Sequence, residues 1–120
     1  MKMKLLGMAA AAALIMPQAA SADAVSDFYD GKTVKVVIGA SMGGSYGIYA
    51  QLLSRHVSKH LKGAPTVVVQ SMPGSGGNKA MNYTSNAGAQ DGSVISIVQI
   101  SVALETVFNP KARFNAKNYK

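Results

Sequence analysis

Two segments of this chain repeat one order of residues: a β-branched run, a glycine-rich turn, then an amphipathic stretch. In the first, Thr33 to Ile38 leads into Gly39-Ala40-Ser41-Met42-Gly43-Gly44-Ser45-Tyr46 and then into Gly47 onward. In the second, Val67 to Val69 leads into Pro73-Gly74-Ser75-Gly76-Gly77-Asn78 and on towards Ala87. A third apolar run, Val94 to Ile100, follows Asp91-Gly92. Strand, helix, strand, helix, strand with short links is the signature of a parallel sheet with right-handed crossovers. The expected fold class is α/β, a βαβαβ parallel sheet in the order 2-1-3. Lys35 is the single charge inside the first run, which suits a strand covered largely on both faces.

Periodicity predicts the helices. Over Gly47 to Lys62, Ile48, Leu52, Leu53, Val57 and Leu61 share one half of the wheel, and Gln51, Ser54, Arg55, Ser58, Lys59 and Lys62 share the other. The apolar half is expected to face inward, and Gly63 to stop the helix. His56 and His60 have an i, i+4 spacing that could hold a metal. They fall in the middle of the apolar half and are expected to be packing residues, with no metal site. A second helix is expected from Asn78 to Ala87, with Ala80, Met81, Tyr83, Thr84 and Ala87 inward. Asp23 to Asp30 reads as a short polar lead with Phe28-Tyr29 packed on the sheet edge. Val102 to Phe108 reads as one short helix ended by Asn109-Pro110.

The first 22 residues read as a removable export signal. Lys2 and Lys4 form a basic region, Leu5 to Met16 an apolar core, and Ala20-Ser21-Ala22 a small-residue cleavage site. The apolar core has 12 residues, against roughly 20 needed to span a bilayer, and Pro17-Gln18 breaks it. Residues 23–120 are then the mature part, exported and soluble. The chain has no cysteine, which excludes a lipid-anchored lipoprotein and any disulfide. Of the whole chain's net charge of +7, removal of Lys2 and Lys4 leaves ten basic against five acidic residues, a net +5. Lys111, Arg113, Lys117 and Lys120 crowd the last ten positions without interleaved aromatic platforms, and nucleic acid is not an expected partner.

In a 2-1-3 sheet, ligands sit outside the carboxyl ends of the strands, where the strand order reverses. Both glycine turns belong to that edge. A helix start leaves unpaired N–H groups and a partial positive charge, and glycine lets an anion approach the backbone. The candidate ligand-binding residues are therefore Ser41, Met42, Gly43, Gly44, Ser45 and Tyr46, with Pro73, Gly74, Ser75, Gly76, Gly77 and Asn78. Nucleotide signatures fail: Lys79 stands where G-x-G-x-x-G needs its third glycine, and Asn78 and Ala80 flank Lys79 where a P-loop needs Gly and Ser or Thr. Four of the mature carboxylates (Asp23, Asp27, Asp30, Asp91) lie away from this edge. Glu105 follows the third strand with no histidine or second carboxylate nearby in sequence. No enzyme and no cofactor are expected.

Several stretches resemble one family. These are Phe28-Tyr29-Asp30-Gly31-Lys32-Thr33-Val34, the first turn with Tyr46, Leu52-Leu53-Ser54-Arg55-His56, Pro65 through Gly77, Ala80-Met81-Asn82-Tyr83, and Asp91-Gly92-Ser93-Val94-Ile95. Together they resemble the TctC-like (Bug) solute-binding receptors of tripartite tricarboxylate transporters. The resemblance implies a periplasmic receptor of the periplasmic-binding-protein-like (Venus flytrap) fold, with two α/β lobes closing on a small organic carboxylate. It implies that Ser41 to Tyr46 and Pro73 to Asn78 hold the carboxylate, and that the membrane components of the transporter are partners. The family often has aspartate where this chain has Gly47, and arginine where it has Gln51. The resemblance also implies that the chain covers an incomplete first lobe, with the second lobe absent. Two other readings stay open at this stage: a secreted Rossmann-like domain of an enzyme acting on a phosphorylated substrate, and a remnant that binds nothing.

Overall fold

The computed structural model of the chain describes residues 20–109 and 112–114. Helix α1 covers Ala20–Tyr29, β1 Thr33–Ile38, α2 Ser45–Val57, β2 Thr66–Ser71, α3 Asn78–Asn86, β3 Val94–Ile97 and α4 Ile100–Phe108. Short 3-10 turns occupy Ser58–His60 and Ser75–Gly77. The three strands form one parallel sheet in the order β2-β1-β3, the α/β architecture and strand order that the repeated pattern implies.

Register is what aligns the edge. Thr33 pairs with Thr66 and Ile38 with Ser71, while Lys35 pairs with Val94 and Ile38 with Ile97. The last residues of all three strands, Ile38, Ser71 and Ile97, therefore lie side by side. Each chain leaves the sheet at the same level, and the two glycine turns start from a common line.

The central strand carries the core. Val34, Val36, Val37 and Ile38 are buried, and Lys35 alone points its charge outward. Val36, Ile38 and Ala50 of α2 form one cluster, joined by Val67, Val69 and Ile97. Ser96, on the opposite face from Ile97, sets its hydroxyl 3.8 Å from the Met81 sulfur of α3. Thus α2 and α3 cover opposite faces. Met81, Val102 of α4 and Phe114 form the second cluster.

Five expectations are corrected. The lead before β1 is helical, as α1, and it lies at the amino-terminal ends of the strands. There the Tyr29 hydroxyl donates to the Gly92 carbonyl at 3.4 Å, the Phe28 and Tyr29 rings meet edge to face at 4.8 Å, and the Lys32 ammonium sits 3.8 Å over the Phe28 ring. The expected signal, residues 1–22, lies outside the described residues except for Ala20 to Ala22, where α1 begins.

Helix α2 turns the other way. Gly47 and Ala50 are its buried residues, Ser54, Val57 and Leu61 are half-buried, and Ile48, Leu52 and Leu53 are exposed. The reason is steric. A Cβ on Gly47 would drive into the Met42 carbonyl, so only a small-residue face can come that close to the first turn. His56 and His60 consequently lie on the outside and are exposed rather than packed. On α3, Ala80, Met81 and Thr84 are buried and Tyr83 is half-buried as expected, but Ala87 is exposed. The third strand ends at Ile97 rather than Ile100, because α4 begins at Ile100.

Candidate functional site

The first turn runs from Gly39 to Gly44 and feeds α2. Gly44 is the N-cap of that helix and offers no side-chain cap. The first intrahelical bond runs from the Ile48 N–H to the Gly44 carbonyl at 3.0 Å. The N–H groups of Ser45, Tyr46 and Gly47 thus have no acceptor within the helix. The turn is braced from inside: the Gly44 N–H donates to the Ser41 carbonyl at 3.3 Å. The Gln51 amide donates to the Met42 and Gly47 carbonyls, each at 3.2 Å. Ser41, Met42, Gly43 and Ser45 are exposed, and Gly44 and Tyr46 half-buried.

The second turn is left-handed through four consecutive residues. Gly74, Ser75, Gly76 and Gly77 have φ of +143°, +47°, +61° and +99°. Glycine takes these values freely, whereas Ser75 carries a strain on the order of 1–3 kcal/mol. Gly77 is the N-cap of α3, again without a side-chain cap. The Gly77 N–H donates to the Gly74 carbonyl at 3.0 Å and the Asn78 N–H to the Ser75 carbonyl. The next N–H groups, of Lys79 and Ala80, belong to the first turn of α3, whose donors have no acceptor within that helix. Pro73 to Gly76 are exposed, Gly77 is buried and Asn78 half-buried.

The roots of the two turns touch. The Met72 N–H donates to the Ile38 carbonyl and the Ser71 hydroxyl to the Ala40 carbonyl, both at 2.8 Å. A Cβ on Gly39 would lie 2.5 Å from the Gly77 Cα. The structure thus brings both predicted halves of the site to one edge, joined through their bases, with their tips open.

Sequence reasoning missed a third part. With β3 ending at Ile97, the start of α4 arrives at the same edge. Its N-cap, Gln99, likewise makes no side-chain cap. The Gln99 carboxamide oxygen is buried without a hydrogen-bond partner and packs against the backbones of Gly39 and Gly77. The Ser101 hydroxyl donates to the Gly76 carbonyl at 3.1 Å. The apolar run reading straight through Val94 to Ile100 hid this boundary, since Val98 and Ile100 look like strand residues while Gln99 and Ser101 carry the break.

Three helix starts therefore converge on one edge, none has an acidic residue in its first turn, and no Asp or Glu occurs between Asp30 and Asp91. The electrostatic preference of this edge is for an anion. Two carboxylates elsewhere are engaged locally. Glu105 accepts from the Asn109 amide at 2.6 Å. Asp91 accepts from the Ser93 hydroxyl at 2.6 Å and its N–H at 2.9 Å, and these bonds, the hydroxyl foremost, hold its carboxyl below the usual carboxylate range. Among the described residues no group of three or more potential ligands could hold a metal, and no helix is long and apolar enough to cross a membrane.

Comparison with protein-family models, with curated proteins and with solved structures finds no match to this chain. The chemistry of the site rests on its own residues.

Proposed function

We propose that this chain is part of the first lobe of an exported solute receptor that captures a small organic carboxylate, a di- or tricarboxylate or an aromatic acid. On this reading it delivers the solute to the membrane components of a tripartite tricarboxylate transporter. The observation that carries the proposal is the convergence of three uncapped helix starts on one sheet edge from which acidic residues are absent. A carboxylate there accepts from backbone N–H groups at Ser45 to Gly47 and Lys79 to Ala80 while the helix dipoles favour its charge. Hydroxyls of Ser41, Ser45 and Ser75 stand in the same two turns. The resemblance of the turn residues to TctC-like receptors and the export signal pattern in residues 1–22 point the same way, to the periplasm. Among the described residues, no histidine or carboxylate stands beside the serines of the two turns, and the role proposed is that of a binder.

Titration calorimetry of the protein against di- and tricarboxylates, nicotinate and other aromatic acids, with nucleotides as comparators, tests this. Saturable heat with at least one carboxylate and none with nucleotides is expected. Binding of a nucleotide and of no carboxylate would replace the proposal with a Rossmann-like enzyme domain acting on a phosphorylated substrate.

A further inference from the structure

The inverted facing of α2 leaves its large side chains outside. Ile48 is 60% exposed, Tyr49 66%, Leu52 54% and Leu53 37%. Beyond them come Arg55 in the last turn of α2 and Lys59 in the 3-10 turn Ser58–His60 that follows it, both exposed. The surface is thus divided along the helix axis, apolar near the glycine turns and basic towards the far end of the sheet. No acid on α2 or on the turn that follows offsets these cations.

Charge and layout select the occupant. A helix that lies on a bilayer presents an apolar stripe along its length with basic residues at its flanks, whereas here Arg55 follows Ile48 and Leu52 on the helix itself and Lys59 comes in the turn after it. A second copy fits poorly as well. Two α2 helices paired antiparallel set apolar halves on basic halves, and paired parallel they set cations on cations. A protein surface that offers an apolar patch next to a cluster of Asp or Glu satisfies both halves. Four apolar side chains and two cations make a small interface of the transient class, below about 1,200 Å².

We propose that the outward face of α2 docks an acidic, partly apolar segment of a different protein, a role that does not depend on the anion site. The test places a photo-crosslinking benzoylphenylalanine at Tyr49 or at Lys59 of the full chain in its native host, with adducts mapped by mass spectrometry. Both positions are expected to label one and the same protein, with apolar residues opposite position 49 and Asp or Glu opposite position 59. The yield from position 49 is expected to fall about fivefold or more between roughly 0.05 and 0.5 M salt, and equally with Arg55→Glu plus Lys59→Glu. Unchanged circular dichroism shows that those variants remain folded. Adducts to lipid or to a second copy, a labelled surface without acidic residues, yields indifferent to salt and charge reversal, or no adduct at all would overturn the proposal.

Discussion

Gly39 and Gly77 meet backbone to backbone, so that a Cβ on the first would stand 2.5 Å from the Cα of the second. This contact couples the ends of β1 and of the second glycine turn, and it fixes how far apart the two helix starts stand. Gly39→Ala must push the turns apart and is expected to lower stability by about 1–3 kcal/mol, the usual range for overpacking. Thermal and urea unfolding measure it. Gly77→Ala is expected to be worse, because its φ of +99° disfavours any Cβ and the Gln99 carboxamide occupies that position.

Gly43 provides the contrast. A Cβ there meets nothing within 4 Å. Gly43→Ala is expected to leave stability within about 0.5 kcal/mol of the parent. If a carboxylate approaches the first turn, the added methyl sits in its path, and affinity falls while the melting midpoint stays put. Calorimetry with a bound carboxylate and a melting curve on the same sample separate the two effects. Unaltered affinity would remove Gly43 from the site.

At Gly47 and Gln51 the first turn is held from the helix side. Gly47→Asp would force its Cβ into the Met42 backbone. It is expected to destabilise by roughly 1–3 kcal/mol. Gln51→Leu withdraws the side-chain donor from the Met42 and Gly47 carbonyls. A loss of about 0.5–1.5 kcal/mol is expected, together with weaker carboxylate binding as the turn loosens. Gln51→Arg, which keeps donors at this position, is expected to retain most of both. Denaturant midpoints and calorimetry read each variant.

Asp91 gives a pH signature. Its carboxyl is held below the usual carboxylate range by the Ser93 hydroxyl and N–H. A group with a depressed folded pKa contributes stability above its unfolded pKa, about 3.9, and loses it as pH falls through the lower folded value. Asp91→Asn is therefore expected to be less stable than the parent at pH 7, with the difference closing as the pH is lowered below about 4. The carboxyl is fully exposed, so the difference is small. Thermal melts of both proteins from neutral to acidic pH check the sign. A gap that widens on acidification would refute it.

Much of the fold was legible along the chain because local chemistry agreed with global structure. β-branched runs at Thr33 to Ile38 and near Val67 to Val69 could only be strands. Glycines between them could only be turns, and short links with helical periodicity favour parallel pairing, which the sheet shows in the order β2-β1-β3. Both glycine turns fell on one edge for the same reason. The wheel of α2 misled because it weighs residues by size and polarity. At the helix start, closeness of approach decided instead. Gly47 and Ala50 are the residues that can lie against the first turn and the sheet, so Ile48, Leu52 and Leu53 were turned outward.

The glycine turns that define this chain are thus a property of its sequence: open backbone is written into the residue types of both, and positive φ into the glycines of the second. Tertiary structure decided what the turns face. Only the register that sets Ile38, Ser71 and Ile97 side by side brings Gly39 onto Gly77. Only the early end of β3 brings Gln99 and the start of α4 beside them. Both depend on contacts between residues far apart in the chain, and no local pattern encodes the distance at which they settle.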